Sequence, residues 1–158
     1  MTTRNDGGRA ELENVFIGSI GALRRELRRI YDRQLAPSGL SLAYAWPVVL
    51  IAEHAGMRQR ELAERLDVEG PTLVRLLHQL TAMGLVTRRQ DPHDQRANSL
   101  HLTPAGQATA KRVRRTIDTV RARLLEAVSD RELTDSLQVF ETLRQAMARD
   151  SAGVRSHG

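Results

Sequence analysis

Apolar residues recur along this chain at intervals of three and four, and the breaks in that rhythm mark its elements. From Glu11 to about Ala36 the apolar positions are Phe16, Ile20, Leu23, Leu27 and Ile30, with Arg24, Arg25, Arg28, Arg29 and Arg33 on the other faces. This is the spacing of an amphipathic helix, and "APSG" at 36–39 ends it. Ser41 is a candidate N-cap for "LAYAWPVVLIAEHAG", a helix expected to close at Gly56. Pro47 lies within it and lacks a backbone donor, so a kink or a late start is expected there. "RQRELAERL" (58–66) reads as a short helix, "DVEG" as a tight turn, and "PTLVRLLHQLTAMG" (71–84) as a second helix opened by Pro71 and closed by Gly84. On this second helix Leu73, Leu76, Leu77, Leu80 and Met83 form one stripe, expected to face inward.

The period then changes. "LVTRRQ" (85–90) and "NSLHLT" (98–103) are strand-like, and the turn-rich "DPHDQRA" between them makes the pair a hairpin. Thr103 followed by Pro104 is a helix start, and Val113, Ile117, Val120, Leu124 and Val128 continue near one stripe. Ser129 and Glu132 have capping-box spacing ahead of a last helix bearing Leu133, Leu137, Phe140, Leu143 and Met147. Residues 1–10 and 150–158 are polar and are expected to be flexible tails. The fold class is therefore mainly α with a small β hairpin.

Composition narrows what such a fold does. The chain has 158 residues, no cysteine and a net charge of +5; Lys111 is the only lysine among 24 basic side chains. The absence of cysteine excludes disulfides, thiolate metal sites and cysteine nucleophiles, and fits a cytoplasmic protein. No apolar run approaches the ~18 residues of a membrane span, and the N-terminus has no apolar signal core. Positive charge suits a polyanionic partner, although an arginine-rich composition has the same effect. Aromatics at 3% disfavour a single-strand binder, which needs rings for bases to stack on. No hydrolase, phosphate-loop or dinucleotide motif is present, so an enzyme is not expected. The histidines show no metal spacing along a helix; His93 and His101 across the hairpin are too little for zinc, and no cofactor is expected.

Two short helices joined by a four-residue turn form a helix-turn-helix, whose second helix enters the major groove of duplex DNA. With the leucine stripe inward, Thr72, Arg75 and Gln79 turn outward together. Arg75 has the fork that fits guanine O6 and N7, and Thr72 lies in the first turn, where phosphate is favoured. A solvated face of no particular function has the same pattern, and this helix alone does not separate the two. The hairpin does, because placed directly after the second helix it is a wing. Its tip carries Arg96 close behind Asp91 and Asp94. An arginine there suits a narrow minor groove, and a neighbouring carboxylate holds its side chain in place. Arg88 and Arg89 on the first strand would lie along phosphates.

The run "LAERLDVEGPTLVRLLHQLTAMGLVTRRQDPHDQRANSLHLTPAG" resembles the winged-helix core of MarR-type bacterial regulators. The specific part is the wing: Asp91, Asp94, Arg96, Leu102, Thr103 and Gly106. "EGPTLVRLL" leans toward the SlyA-like branch. Two positions depart from the family pattern. His93 stands where an arginine is usual, leaving one permanent cation at the tip, and Arg58 stands where a Ser or Thr cap is preferred. The resemblance implies a winged helix-turn-helix domain over 40–106, with its wing at 85–102. An N-terminal dimerisation helix (11–38) and C-terminal dimerisation helices (104–149) would intertwine into a homodimer. Such a dimer reads a pseudo-palindromic duplex with half-sites about one turn, ~34 Å, apart. DNA contacts are then expected at Thr72, Arg75, Gln79, Arg88, Arg89, His93, Asp94 and Arg96.

The resemblance also implies a small aromatic carboxylate or phenol as effector. Ser41, Tyr44, Trp46 and Arg75 are the candidates, with Tyr31 and His54 further out; ordinary core packing explains Tyr44 and Trp46 equally well. A carboxylate there would compete with DNA for Arg75. The expectation is a cytoplasmic, dimeric, sequence-specific regulator of transcription, a repressor relieved by its ligand. Two rivals are a non-specific architectural DNA binder and a winged helix used for protein contacts.

Overall fold

The computed structural model describes residues 6–91 and 94–155. By its contacts the chain divides into two units, Met1–Val120 and Arg121–Gly158.

Helix α1 runs from Asp6 to Leu35 and is followed by a 3₁₀ turn, Ala36–Ser38, and Gly39 at φ 73°. Its first turn falls inside the segment expected to be a tail. A polar composition is not a helix breaker, and the Arg9–Glu13 pair, 2.6 Å apart at i, i+4, ties successive turns together. Helix α2, Leu42–Glu53, starts on time despite Pro47. Ser41 occupies the N-cap with extended backbone but makes no side-chain cap bond. The cap comes from α1 instead: the Leu42 N–H donates to Asp32 Oδ1 at 2.6 Å. The helix stops at Glu53, three residues before Gly56. Gly56, at φ 83°, turns the chain into a strand the sequence did not announce, β1 (Met57–Arg58).

Helices α3 (Gln59–Leu66) and α4 (Gly70–Ala82) follow. Arg58 sits at the α3 N-cap and makes no side-chain cap bond there. Strands β2 (Val86–Asp91) and β3 (Asp94–Leu102) pair antiparallel, and β1 adds to the far side of β3, giving the order β1-β3-β2. The second hairpin strand thus begins four residues earlier than expected. Helix α5 spans Pro104–Leu124 and α6 spans Asp130–Arg155, so Val128 lies in the connection and the last helix continues into the presumed C-terminal tail.

One core serves the first unit. Val48, Val49 and Ile51 of α2, Leu62 of α3, Leu73, Leu77 and Leu80 of α4, Val86 and Leu100 of the sheet, and Val113 of α5 are all buried in it. Cross-strand partners share a face, so Val86, Leu100 and Met57 point at this core, while Thr87, Arg89, Ser99 and His101 point away from it.

Candidate nucleic-acid interface

The sequence from Gly70 to Gly106 builds a helix, a turn and a hairpin that lock to one another. Helix α4 ends in a left-handed turn: Gly84 N–H donates to Thr81 O at 2.9 Å and Leu85 N–H to Leu80 O at 3.0 Å, with Gly84 at φ 68°. This satisfies two terminal carbonyls and redirects the chain into β2. Thr103, at the end of the hairpin, reaches back to that turn. Its hydroxyl donates to Gly84 O at 2.6 Å, its N–H donates to Leu85 O at 3.0 Å, and its Oγ1 accepts from Gly106 N–H at 3.0 Å. Gly106 has no alternative here, because a Cβ would lie 2.0 Å from the Leu85 carbonyl oxygen. The wing base is thereby tied to the C-terminal end of α4 through backbone groups.

With Leu73, Leu77 and Leu80 buried, α4 presents Thr72, Arg75 and Gln79 to solvent together. The inward stripe is narrower than expected: Leu76 is half-buried, and Met83 is 45% exposed, because the helix is already turning out of the core at its C-cap. Two further residues join the outward face, His78 and Val74, the latter 52% exposed. An apolar residue at a position where the stripe rule asks for a polar one was the available signal for Val74. At the other end of α4, the N-cap residue Glu69 makes no side-chain cap bond, which leaves first-turn amides for an anionic ligand.

The cations nearby fall into two groups. On α3, Arg60 and Arg65 are held by Glu64 and Glu61, at 3.0 and 3.1 Å. Among the described residues no ion pair involves Arg75, Arg88 or Arg89, and all three are exposed. Arg88 and Arg89 face opposite sides of the hairpin, as their partners Leu100 and Ser99 do, so they are not interchangeable. Ser99 Oγ donates to the Arg89 carbonyl at 3.1 Å and stands 3.1 Å from His101 Nε2. With the hydroxyl proton used on the carbonyl, the imidazole N–H is the donor of that second bond.

Asp94 and Arg96 lie on β3 by their backbone, where the pairing shifts between Gln90 and Asp91; His93 lies outside the described residues. His101 is therefore bonded to Ser99, and no group of three metal-ligating side chains occurs among the described residues. Of the candidate effector residues, Ser41 and Tyr44 are half-buried, Tyr44 and Tyr31 pack against the core, and Trp46 is 36% exposed. Arg75 points to solvent, His54 is exposed, and none of these residues lines the cavity of about 510 Å³ between the end of α2, strands β2 and β3 and the start of α5. No single described helix is long and apolar enough to cross a membrane.

Residues 38–97 match the MarR family. A putative transcriptional regulatory protein for the hcr operon of Thauera aromatica is 28% identical over 138 residues, covering 87% of this chain and 81% of the relative. Among solved structures, the transcriptional repressor CouR bound to a 23-mer DNA duplex is 26% identical, with a TM-score of 0.75 over 85% of this chain and 95% of that one. Staphylococcus aureus MarR in complex with salicylate and kanamycin is 19% identical, with a TM-score of 0.76 over 88% and 94%.

Proposed function

We propose that this chain is a transcriptional regulator of the MarR family, whose model its residues 38–97 match, and that it acts as a homodimer on a pseudo-palindromic duplex, as a repressor relieved by a small ligand. The observation that carries the proposal is the division of the arginines. Those on α3 are neutralised by their own glutamates, while Arg75, Arg88 and Arg89 are left for an external anion.

In this reading α4 lies in the major groove, with Arg75 forked onto a guanine, Thr72 on a phosphate and Gln79 on a neighbouring base edge. The wing follows the backbone with Arg88 and Arg89 and reaches the minor groove with Arg96, while Asp94 holds the tip and His93 replaces a second cation. Val74 extends the reading: an apolar group on a groove-facing helix suits the thymine methyl. Pairing of two chains comes from the exposed apolar residues of the flanking helices, among them Phe16, Ile20 and Leu23 of α1 and Leu137 and Phe140 of α6. The repression is drawn from CouR and the effector class, an aromatic carboxylate or phenol, from the salicylate complex. In a cell the site of action is the cytoplasm, where the DNA is.

The test is selection of bound duplexes from a random pool, followed by titration of a selected and a scrambled duplex at several salt concentrations. A sequence-specific regulator enriches a two-fold symmetric motif and binds it at least ~10³-fold tighter than scrambled DNA. Equal affinity for both, with a steep salt dependence, means an architectural binder. No binding at low salt means a protein-interaction module.

A further inference from the structure

Helix α5 holds six basic residues and one acidic residue, an excess equal to the net charge of the whole chain, +5. Helices α1, α3 and α6 come close to neutrality instead, with six basic residues against five acidic, two against two and four against five. The excess is also gathered on one edge. Ala110, Val113, Ile117 and Val120 are buried. Their burial turns Lys111, Arg112 and Arg115 outward together, all three exposed, along with Ala108 and Thr119. Arg114, at the margin of this edge, is engaged by Glu53 of α2, and among the described residues no ion pair involves Lys111, Arg112 or Arg115. Like charges one turn apart destabilise a helix, so an edge of this kind is completed by an external anion.

Two features fix where the edge lies. Arg89 of β2 and Lys111 line the same cavity, so the wing face that bears Arg89 continues onto α5. The first turn of α5 is held to the wing base by Thr103, whose hydroxyl donates to Gly84 O and accepts from Gly106 N–H. A polyanion that leaves the wing along Arg89 therefore meets Lys111 next. Lys111 and Arg115 are about 6 Å apart along the helix axis, near the axial separation of alternate phosphates on one strand of a duplex, about 6.8 Å. Helix α5 carries no aromatic side chain, so it gives unpaired bases nothing to stack on. We propose that Lys111, Arg112 and Arg115 hold the backbone of the duplex DNA that flanks the recognised site, beyond the wing. Such a contact carries no base information; it adds affinity and draws the flank toward the protein. This step rests on the DNA-binding reading above.

Two duplexes carrying the selected site test it. One ends at the wings, and the other extends by one further turn, about 10 base pairs, at one end. Each is titrated with the full chain by fluorescence anisotropy at several salt concentrations. The parent is expected to bind the extended duplex at least about tenfold tighter at low salt, with a slope of log K against log salt steeper by about 2.7 for three added phosphates. The triple variant Lys111→Gln, Arg112→Gln, Arg115→Gln is expected to bind the short duplex as the parent does and to lose the gain on extension. Energy transfer between dyes at the two ends of the extended duplex is expected to rise on binding the parent and not on binding the variant. Thermal melts check that the variant is folded, and the parent's dependence on duplex length carries the test if it is not. No gain on extension, a gain that the variant retains, or an equal loss of affinity for both duplexes in the variant would overturn the proposal. Capture of a second, separate duplex by the complex with the short one would also overturn it, because the bound DNA would then belong to another molecule. Failure to bind the short duplex at all sinks the DNA-binding reading and this inference with it, whereas binding of the short duplex without a gain on extension sinks this inference alone.

Discussion

Helices α4 and α6 are written in the same apolar period and present opposite surfaces. On α4 the leucines at 73, 77 and 80 are buried and an arginine faces out; on α6, Leu137, Phe140 and Met147 face out, 63%, 41% and 68% exposed. Helix α1 resembles α6 in this, with Phe16, Ile20, Leu23 and Leu27 exposed. A helix of the first kind has met its apolar requirement within the chain, and its free surface is available for a polar ligand. A helix of the second kind has not, and contiguous exposed apolar surface of this sort marks a protein-protein contact. One region has its apolar surface covered within the chain; the others leave theirs open.

The sharpest way to break this comparison is to truncate both kinds of stripe. Leu77→Ala opens a cavity in the core and is expected to cost about 2–5 kcal/mol, whatever the protein concentration. Phe140→Glu is expected to leave the winged-helix unit folded and to destroy the dimer, making Tm independent of concentration where the parent's is not. Sedimentation equilibrium and thermal melts over a hundredfold concentration range measure both. Equal, concentration-independent losses in the two variants would mean that both stripes are core, and the division proposed here would be wrong.

The same pair shows how far the sequence could be read. Helix positions, the wing and the outward set of Thr72, Arg75 and Gln79 were legible, because periods of 3.6 and 2 are local properties. The capping box was too: Ser129 and Glu132 bond reciprocally, as their spacing demands. The period alone did not tell whether a stripe is covered within the chain, since it is the same in either case; the expectation of dimerisation helices came from the family resemblance. Tertiary substitutions were also hidden. Asp32, ten residues upstream, caps α2 in place of Ser41, and β1 has only two residues, too few to show alternation. The cavity behind the wing draws on α2, both long strands and α5, and no single stretch of sequence contains it.

On α3 and α4 the comparison is between cations. Arg75→Ala is expected to cost about 1–3 kcal/mol at one base position and to relax preference there. Arg60→Ala, which removes a side chain held by Glu64, is expected to change DNA affinity far less and stability by no more than about 0.5 kcal/mol. Mobility shifts on a selected duplex and on its single-base variants distinguish the two. Equal losses would remove the distinction between free and committed arginines. Val74 makes a smaller, more selective claim. Replacing one thymine of the selected site by deoxyuridine deletes only a methyl, worth about 0.8 kcal/mol or roughly fourfold. That loss should occur with the parent and be absent with Val74→Ala. If both proteins ignore the methyl at every position, the valine does not read DNA.

The smallest effect concerns how α6 holds its own start. At the head of α6 the Ser129 hydroxyl and backbone N–H donate to Glu132 Oε2 at 2.6 and 2.9 Å. Those two bonds, the hydroxyl's first, hold the Glu132 carboxyl below the usual carboxylate range. A carboxyl lowered on folding binds its proton more tightly in the unfolded chain. Its stabilising contribution is therefore complete above the unfolded value and is lost as pH falls through the folded one. Helicity of the full chain should accordingly show a small acid-limb decrease that Glu132→Gln removes while leaving neutral-pH helicity almost unchanged, because the amide oxygen still accepts both bonds. Circular dichroism from pH 7 downward, on parent and variant, measures it. An unchanged acid limb in the variant would mean that α6 is not held at its start by its own cap, which would make the helix less locally determined than its sequence suggests.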